Sequence, residues 1–145
     1  MLGLFAVASE DPQEAEHLDQ ALRSPQMEPR VAVARCQAAG GTVLFGRLTN
    51  GILNSQQPKS SGDGRYIVFI EGEIQNSARL WQEIGIPDYA ERNDADLVLA
   101  LMVEMPVTDW VHRCQGSFTI MIWDGQTQSL TFANDRFGLR PHYYT

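Results

Sequence analysis

Lysine is all but missing from this sequence: Lys59 is the only one, so arginine carries nearly all of the positive charge. With 18 acidic against 11 basic side chains the net charge is -7. No clustered Lys/Arg face reverses it locally, which disfavours binding to a phosphate backbone and excludes nucleic acid as the expected partner. No apolar run approaches the roughly 18 residues of a membrane-spanning helix, so no membrane association is expected. The apolar opening Leu2–Ala8 lacks a basic flank and leads into acidic residues, unlike a secretory signal. Cysteine occurs twice, at Cys36 and Cys114, with neither a CxxC nor a disulfide-dense pattern. Free thiols in a reducing cytoplasm are the expectation. His17, His112 and His142 lack metal-ligand spacing, and no glycine-rich phosphate cradle is present. Neither a metal nor a nucleotide site is expected in this chain.

What is present describes a globular protein: 145 residues with 43% hydrophobic and 20% charged side chains. That length suits one domain, spanning 1–145, with a proper core. Leu2–Ala8 reads as a strand. Pro12 and Glu14 then open a short helix to about Arg23, with Ala15, Leu18, Ala21 and Leu22 inward. Arg30–Cys36 and Thr42–Leu48 flank Gly40-Gly41 as a hairpin. The polar stretch Asn50–Gly62 reads as a mobile surface loop. Asn76 is placed to cap a helix through Leu80, Trp81 and Ile84, ended by Gly85 and Pro87. Asn93-Asp94 opens a second helix whose apolar stripe is Leu97, Val98, Leu101, Met102 and Met105. A short helix over Thr108–Arg113, a hairpin of Ser117–Trp123 with Ser129–Ala133, and a last strand at 142–144 complete the chain. Strands at both ends with helices between them make the class α+β.

The centre of the pattern is Asp63–Asn76. Asp63-Gly64 signals a turn, and Tyr66–Ile70 is a β-branched and aromatic run that fits a strand buried on both faces. The run is expected to stop at Glu71-Gly72-Glu73, two carboxylates around a residue without a side chain. Backbone bared by glycine at a strand end lets a small polar ligand approach closely.

Several pieces occur in one order at one spacing: Met1–Phe5, Gly46–Leu48, Asp63–Tyr66, Gly72–Ile74, Asn76, Asn93-Asp94, Gly116–Phe118, Trp123-Asp124 and Asp135–Gly138 followed by Arg140-Pro141 and Tyr143-Tyr144. The ordered set resembles the N-terminal, class II glutamine amidotransferase domain of asparagine synthetases, over essentially the whole chain. The resemblance implies the four-layer αββα sandwich of N-terminal-nucleophile hydrolases. It also implies a partner: a synthetase domain or subunit that uses ATP and magnesium to activate a carboxylate. No cofactor is implied for this domain itself.

In the family a cysteine at position 2, freed by removal of the first methionine, attacks glutamine with its own α-amino group as base. Here that position is Leu2, which offers no nucleophile. The family's Asn before Gly-Glu donates to the oxyanion; here it is Glu71, an acceptor. Both are degenerate catalytic positions, and glutaminase activity is not expected. The zwitterion-gripping set is retained by resemblance. Arg47 matches the carboxylate holder, Gly72 and Glu73 the strand end that holds amide and ammonium, and Asp94 the carboxylate that pairs with the ammonium. The residues alone leave plainer roles open: Arg47 as a strand arginine paired with Glu71 or Glu73, and Asp94 as a helix-start carboxylate.

Three functions follow as expectations. The first is a pseudoenzyme, a structural partner of an amide-forming synthetase half. The second is a sensor that still binds glutamine. The third is a glutamine hydrolase with a displaced nucleophile such as Cys36. A homodimer is also among the partners considered.

Overall fold

The computed structural model describes residues 3–24, 30–49, 56–86 and 90–140. Among these residues the chain is mixed α+β, with two antiparallel sheets and four α-helices. Leu2, the expected last strand at 142–144 and the Pro87 helix stop lie outside the described residues.

The first sheet holds β1 (Gly3–Ser9), β2 (Arg30–Ala38) and β3 (Gly41–Thr49) in the order β1-β3-β2. The expected hairpin forms, with Ala38 opposite Gly41 at its turn. Helix α1 (Pro12–Leu22) is started by Asp11, whose carboxylate accepts from the Gln13 amide at 2.8 Å. Ala15 is buried beneath it and Leu18 and Leu22 are half-buried, as expected, but Ala21 is exposed. At about 100° per residue Ala21 lies about 120° round the helix from Ala15, outside the narrow stripe that reaches the sheet.

The second sheet holds β4 (Lys59–Ser60), β5 (Tyr66–Ile74), β6 (Gly116–Asp124) and β7 (Ser129–Asn134) in that order. The surface-loop expectation for Asn50–Gly62 fails at its far end. Lys59 and Ser60 pair with Val68 and Ile67. Just before them, the Gln57 side chain donates to the Ile70 carbonyl at 2.9 Å and accepts from the Ile70 amide at 2.7 Å. One carboxamide thus stands in for the next residue pair of a strand. Residues 50–55 of that expected loop lie outside the described residues.

Strand β5 does not stop at Glu71. It runs to Ile74, with Glu71 opposite Thr119, Gly72 opposite Phe118 and Glu73 opposite Ser117. A charge ends a core strand only where it must reach water, and the Glu71 carboxylate finds its counter-charge inside the protein. Burial on both faces holds as expected: Val68 and Ile70 face one core, Phe69 the other.

Helix α2 (Ser77–Glu83) follows β5. Asn76 sits at its N-cap position without capping it. Its side chain instead donates to the Arg113 carbonyl at 2.9 Å and accepts from the Gln115 amide at 2.8 Å. The amide therefore ties the start of α2 to the strand entering β6, a long-range use that outcompetes the local one. The other end closes as expected on Gly85, at φ +75°, with the Ile86 amide bonded back to the Trp81 carbonyl. Helix α3 (Asp94–Glu104) has a full capping box between Asn93 and Asp96. Helix α4 (Val107–Trp110) and a 3₁₀ turn at Val111–Arg113 lead into β6.

Two cores result. Val68, Ile70, Phe118, Ile120 and Ile122 pack against Leu80, Trp81, Leu97, Val98, Leu101 and Trp110, with Met102 and Met105 as partly buried filler. The other core lies between the sheets and joins Ala34, Cys36 and Phe45 to Phe69, Met121 and Trp123. Phe45 and Phe69 meet edge to face at 5.5 Å. Such a geometry adds about 0.5–1.5 kcal/mol to the area the rings bury.

Candidate functional site

Strand periodicity carries the inter-sheet face from an aromatic pair to a charged one. Arg47 follows Phe45 by two residues on β3, and Glu71 follows Phe69 by two on β5, so each points the same way as its predecessor. The Arg47 Nε lies 2.5 Å from Glu71 Oε2, with side-chain exposures of only 2% and 6%. The other Glu71 oxygen, Oε1, lies 3.5 Å from Nη1 of Arg140. Moving both charges out of water costs several kcal/mol per ion, repaid only when the pairing geometry is good. Here each carboxylate oxygen faces a guanidinium.

Gly72 makes room for that second arginine. It sits at φ +101°, and a Cβ added there would lie 2.0 Å from the Ser117 carbonyl oxygen and 2.9 Å from the Arg140 Nε. A glycine expected to admit a small ligand is therefore covered by the protein's own arginine. Arg140 arrives on a turn set by Asp135, whose buried side chain accepts from the Phe137 amide at 3.0 Å. No partner for Asp135 Oδ2 or Arg140 Nε is found among the described residues.

Of the residues singled out from the sequence, Arg47 and Glu71 are thus brought into contact, with Gly72 adjoining. Glu73 is exposed, opposite Ser117. Asp94 stands one residue beyond it, at the start of α3, where its Oδ2 accepts from the Ile74 amide at 3.0 Å. It fastens the end of β5 to α3. Arg92, next to the cap, does not enter the Arg47–Glu71 contact; its guanidinium lies 5.2 Å over the Trp81 ring.

Arg140 is the residue of this cluster that sequence reasoning missed. Its fixed place after Asp135 and Gly138 marks a structured turn, but nothing local says that the turn reaches back to β5.

Both thiols are buried. Cys36 lies in the inter-sheet core and burial raises its pKa. Cys114 is pushed up to about 12, first by burial and then by the negative charge of Asp94. A nucleophilic thiol needs the opposite environment, exposed and electropositive. Among the described residues no group of three or more His, Cys, Asp or Glu side chains is placed to hold a metal ion. No described helix is long and apolar enough to cross a membrane.

A family profile described as "Glutamine amidotransferase domain" matches residues 47–145. The chain is 31% identical over 94 residues to asparagine synthetase (glutamine-hydrolyzing) 2 of Bacillus subtilis, a match covering 65% of this chain and 12% of that protein. It is 33% identical over 113 residues to the putative asparagine synthetase (glutamine-hydrolyzing) of Mycobacterium tuberculosis H37Rv, covering 72% of this chain and 17% of the relative. A match to amidase chyE of Penicillium rubens is 24% identical over 94 residues, covering 64% of this chain and 14% of that protein. The chain therefore spans only 12% to 17% of the length of these curated relatives.

Proposed function

The chain belongs to the glutamine amidotransferase domain family, and from that premise we propose that it is a non-hydrolysing member that serves as structural partner of an ATP-dependent, amide-forming synthetase half. The observation that carries this reading is the buried contact of Arg47 with Glu71. By family resemblance Arg47 is the cation that receives the substrate α-carboxylate, and Glu71 stands where an amide donor would stabilise the oxyanion. The protein's own carboxylate occupies the first role and removes the second. Loss of one oxyanion donor typically costs about 2.7–4 kcal/mol of transition-state stabilisation. A carboxylate in its place adds repulsion. At position 2 the family's cysteine is replaced by Leu2, which supplies no attacking atom.

In this reading Arg47, Gly72, Glu73 and Asp94 are the remains of a glutamine-gripping framework. In the same reading the fold is the four-layer αββα sandwich of N-terminal-nucleophile hydrolases, as one domain over 1–145, a proposal supported by the two antiparallel sheets and four helices. ATP and magnesium belong to the partner half, and the compartment is the cytoplasm. A glutamine sensor is disfavoured because Arg47 is already neutralised by Glu71. A displaced nucleophile is disfavoured because Cys36 is buried and burial raises its pKa.

The test is an ammonia-release assay on the purified chain with glutamine. No turnover above the buffer rate is expected. Turnover by the wild-type chain that disappears when Leu2 is changed overturns the proposal.

A further inference from the structure

We propose, building on the reading of Glu71 as the group that fills Arg47, that the end of β5 is a binding site for a guanidinium cation and that Arg140 is its tethered occupant. The Arg47 side chain is 2% exposed and lies behind the Glu71 carboxylate, which takes its Nε at 2.5 Å. Its positive charge is therefore used inside the protein. What the strand end presents outward is the second oxygen of Glu71. The exposed Glu73 follows two residues along, on the same face of the strand. The sign of the site is thus inverted. A group that approaches over Gly72 meets acceptors, and a carboxylate ligand is repelled.

Carboxylates alone do not make a site, but here the chain supplies the ligand as well. The Arg140 guanidinium places Nη1 3.5 Å from Glu71 Oε1. Its Nε lies 2.9 Å from the point that a Cβ on Gly72 would occupy, so a glycine is what leaves room for it. A planar head rests over bared backbone against an anion. In such a setting a guanidinium, weakly hydrated and rich in donors, fits better than a compact ammonium.

The fit of this occupant is imperfect, which makes it replaceable. A charge-assisted N–H···O bond is about 2.7–2.9 Å long, and the 3.5 Å contact lies outside that range. The buried Nε of Arg140 has no acceptor among the described residues. The tether is the cause. Asp135 fixes the turn, its carboxylate accepting from the amides of Phe137 and Leu139 at 3.0 and 3.4 Å. Its carbonyl accepts from the Gly138 amide at 3.1 Å. A side chain that reaches back from a fixed turn cannot adjust all its donors at once. A free guanidinium can, and it closes to full bonding distance on Glu71 Oε1 where Arg140 does not. The ligand class is therefore a small alkylguanidinium.

Melting temperatures of the full chain and of two variants test this, with methylguanidinium chloride as the probe. Arg140→Ala empties the place, and Arg140→Met keeps the stem without the charge. Arg140 belongs to neither hydrophobic core, and circular dichroism of both variants checks that the fold is kept. Millimolar methylguanidinium is expected to raise the melting temperature of Arg140→Ala, with a further rise at each tenfold step in concentration. Arg140→Met is expected to respond less, and the wild-type chain to stay unmoved. Adding Glu71→Gln to Arg140→Ala is expected to cancel the response. Tetramethylammonium chloride, a cation without an N–H, is expected to do nothing. An equal response to tetramethylammonium, an equal response of the wild-type chain, or no response from either variant overturns the proposal. Glutamine turnover in the ammonia-release assay would instead overturn the non-hydrolysing reading, and it leaves these melting curves unchanged.

Discussion

The Arg47 Nε lies 2.5 Å from Glu71 Oε2, in the next side-chain layer beyond the edge-to-face contact of Phe45 with Phe69. The inter-sheet core therefore ends in an ion pair, and the two pairs share the same strands. Aromatic contact fixes the spacing of β3 and β5, and that spacing brings guanidinium and carboxylate together. The same contact has two consequences, one for stability and one for ligand binding.

For stability, Arg47→Met leaves the buried Glu71 carboxylate only its longer contact with Arg140, and Glu71→Leu takes the carboxylate away from the buried Arg47 guanidinium. Each single change is expected to cost about 3–5 kcal/mol. The double variant, with neither charge, is expected to lose far less than the sum, because contacting residues are not additive. Urea unfolding of the four proteins measures the coupling. Additive losses would mean that the two side chains do not interact in solution.

For ligand binding, Glu71→Asn removes the internal counter-charge and restores an amide donor. Glutamine is then expected to produce a calorimetric binding signal that the wild-type chain lacks. Adding Arg47→Ala to Glu71→Asn should remove it again. A wild-type chain that binds glutamine as well as the variant does would show that Glu71 is not in the way.

The thiols give a reactivity prediction. Burial raises Cys36, and burial together with the charge of Asp94 pushes Cys114 up to about 12. At pH 8 the thiolate fraction is therefore small and the sulfurs are covered. Iodoacetamide is expected to label neither residue in the folded chain and both in urea, read by mass spectrometry. Rapid labelling of folded Cys36 would revive it as a nucleophile.

A second ionic contact predicts acid sensitivity. Arg65 grips Asp124 with two bonds, Nε to Oδ1 at 3.0 Å and Nη2 to Oδ2 at 2.8 Å. The Arg65 guanidinium holds the Asp124 carboxyl at about 2, below its ordinary range. A pKa depressed by folding means that the folded state favours the ionised form. The contribution is complete above about pH 4, where the unfolded chain is also ionised, and disappears as pH falls through about 2. Asp124→Asn should lower the melting temperature at pH 7, and the difference from wild type should shrink between pH 4 and pH 2. A pH-independent difference would point to lost packing alone.

Most of the architecture was legible because it follows from periodicity and punctuation. The stripe of Leu97, Val98 and Leu101 and the cap at Asn93 announce α3, and the β-rich run that follows Gly40-Gly41 announces β3. Two of the failures come from side chains whose partners lie far away in the chain. Asn76 looks like a helix cap, but a partner arriving at Gln115 takes its amide. Glu71 looks like the end of a strand, because a carboxylate after an apolar run normally reaches water. No local pattern reveals that an arginine from the other sheet waits for it. The ion pair of Arg47 with Glu71 was legible as one of two options, whereas the part played by Arg140 depends on a turn folding back across the sheet.

The Gln57 contact carries a further consequence. A peptide group left open along a sheet border invites a neighbouring chain to add itself there, which is how folded proteins begin to stack into fibres. At Ile70 both backbone groups are already taken by one carboxamide. The border of the sheet is plugged just where β4 runs out, and an intruding chain finds no bonds to make at that position. A single side chain thereby guards the stretch of β5 that leads to Glu71 without the length of a full strand.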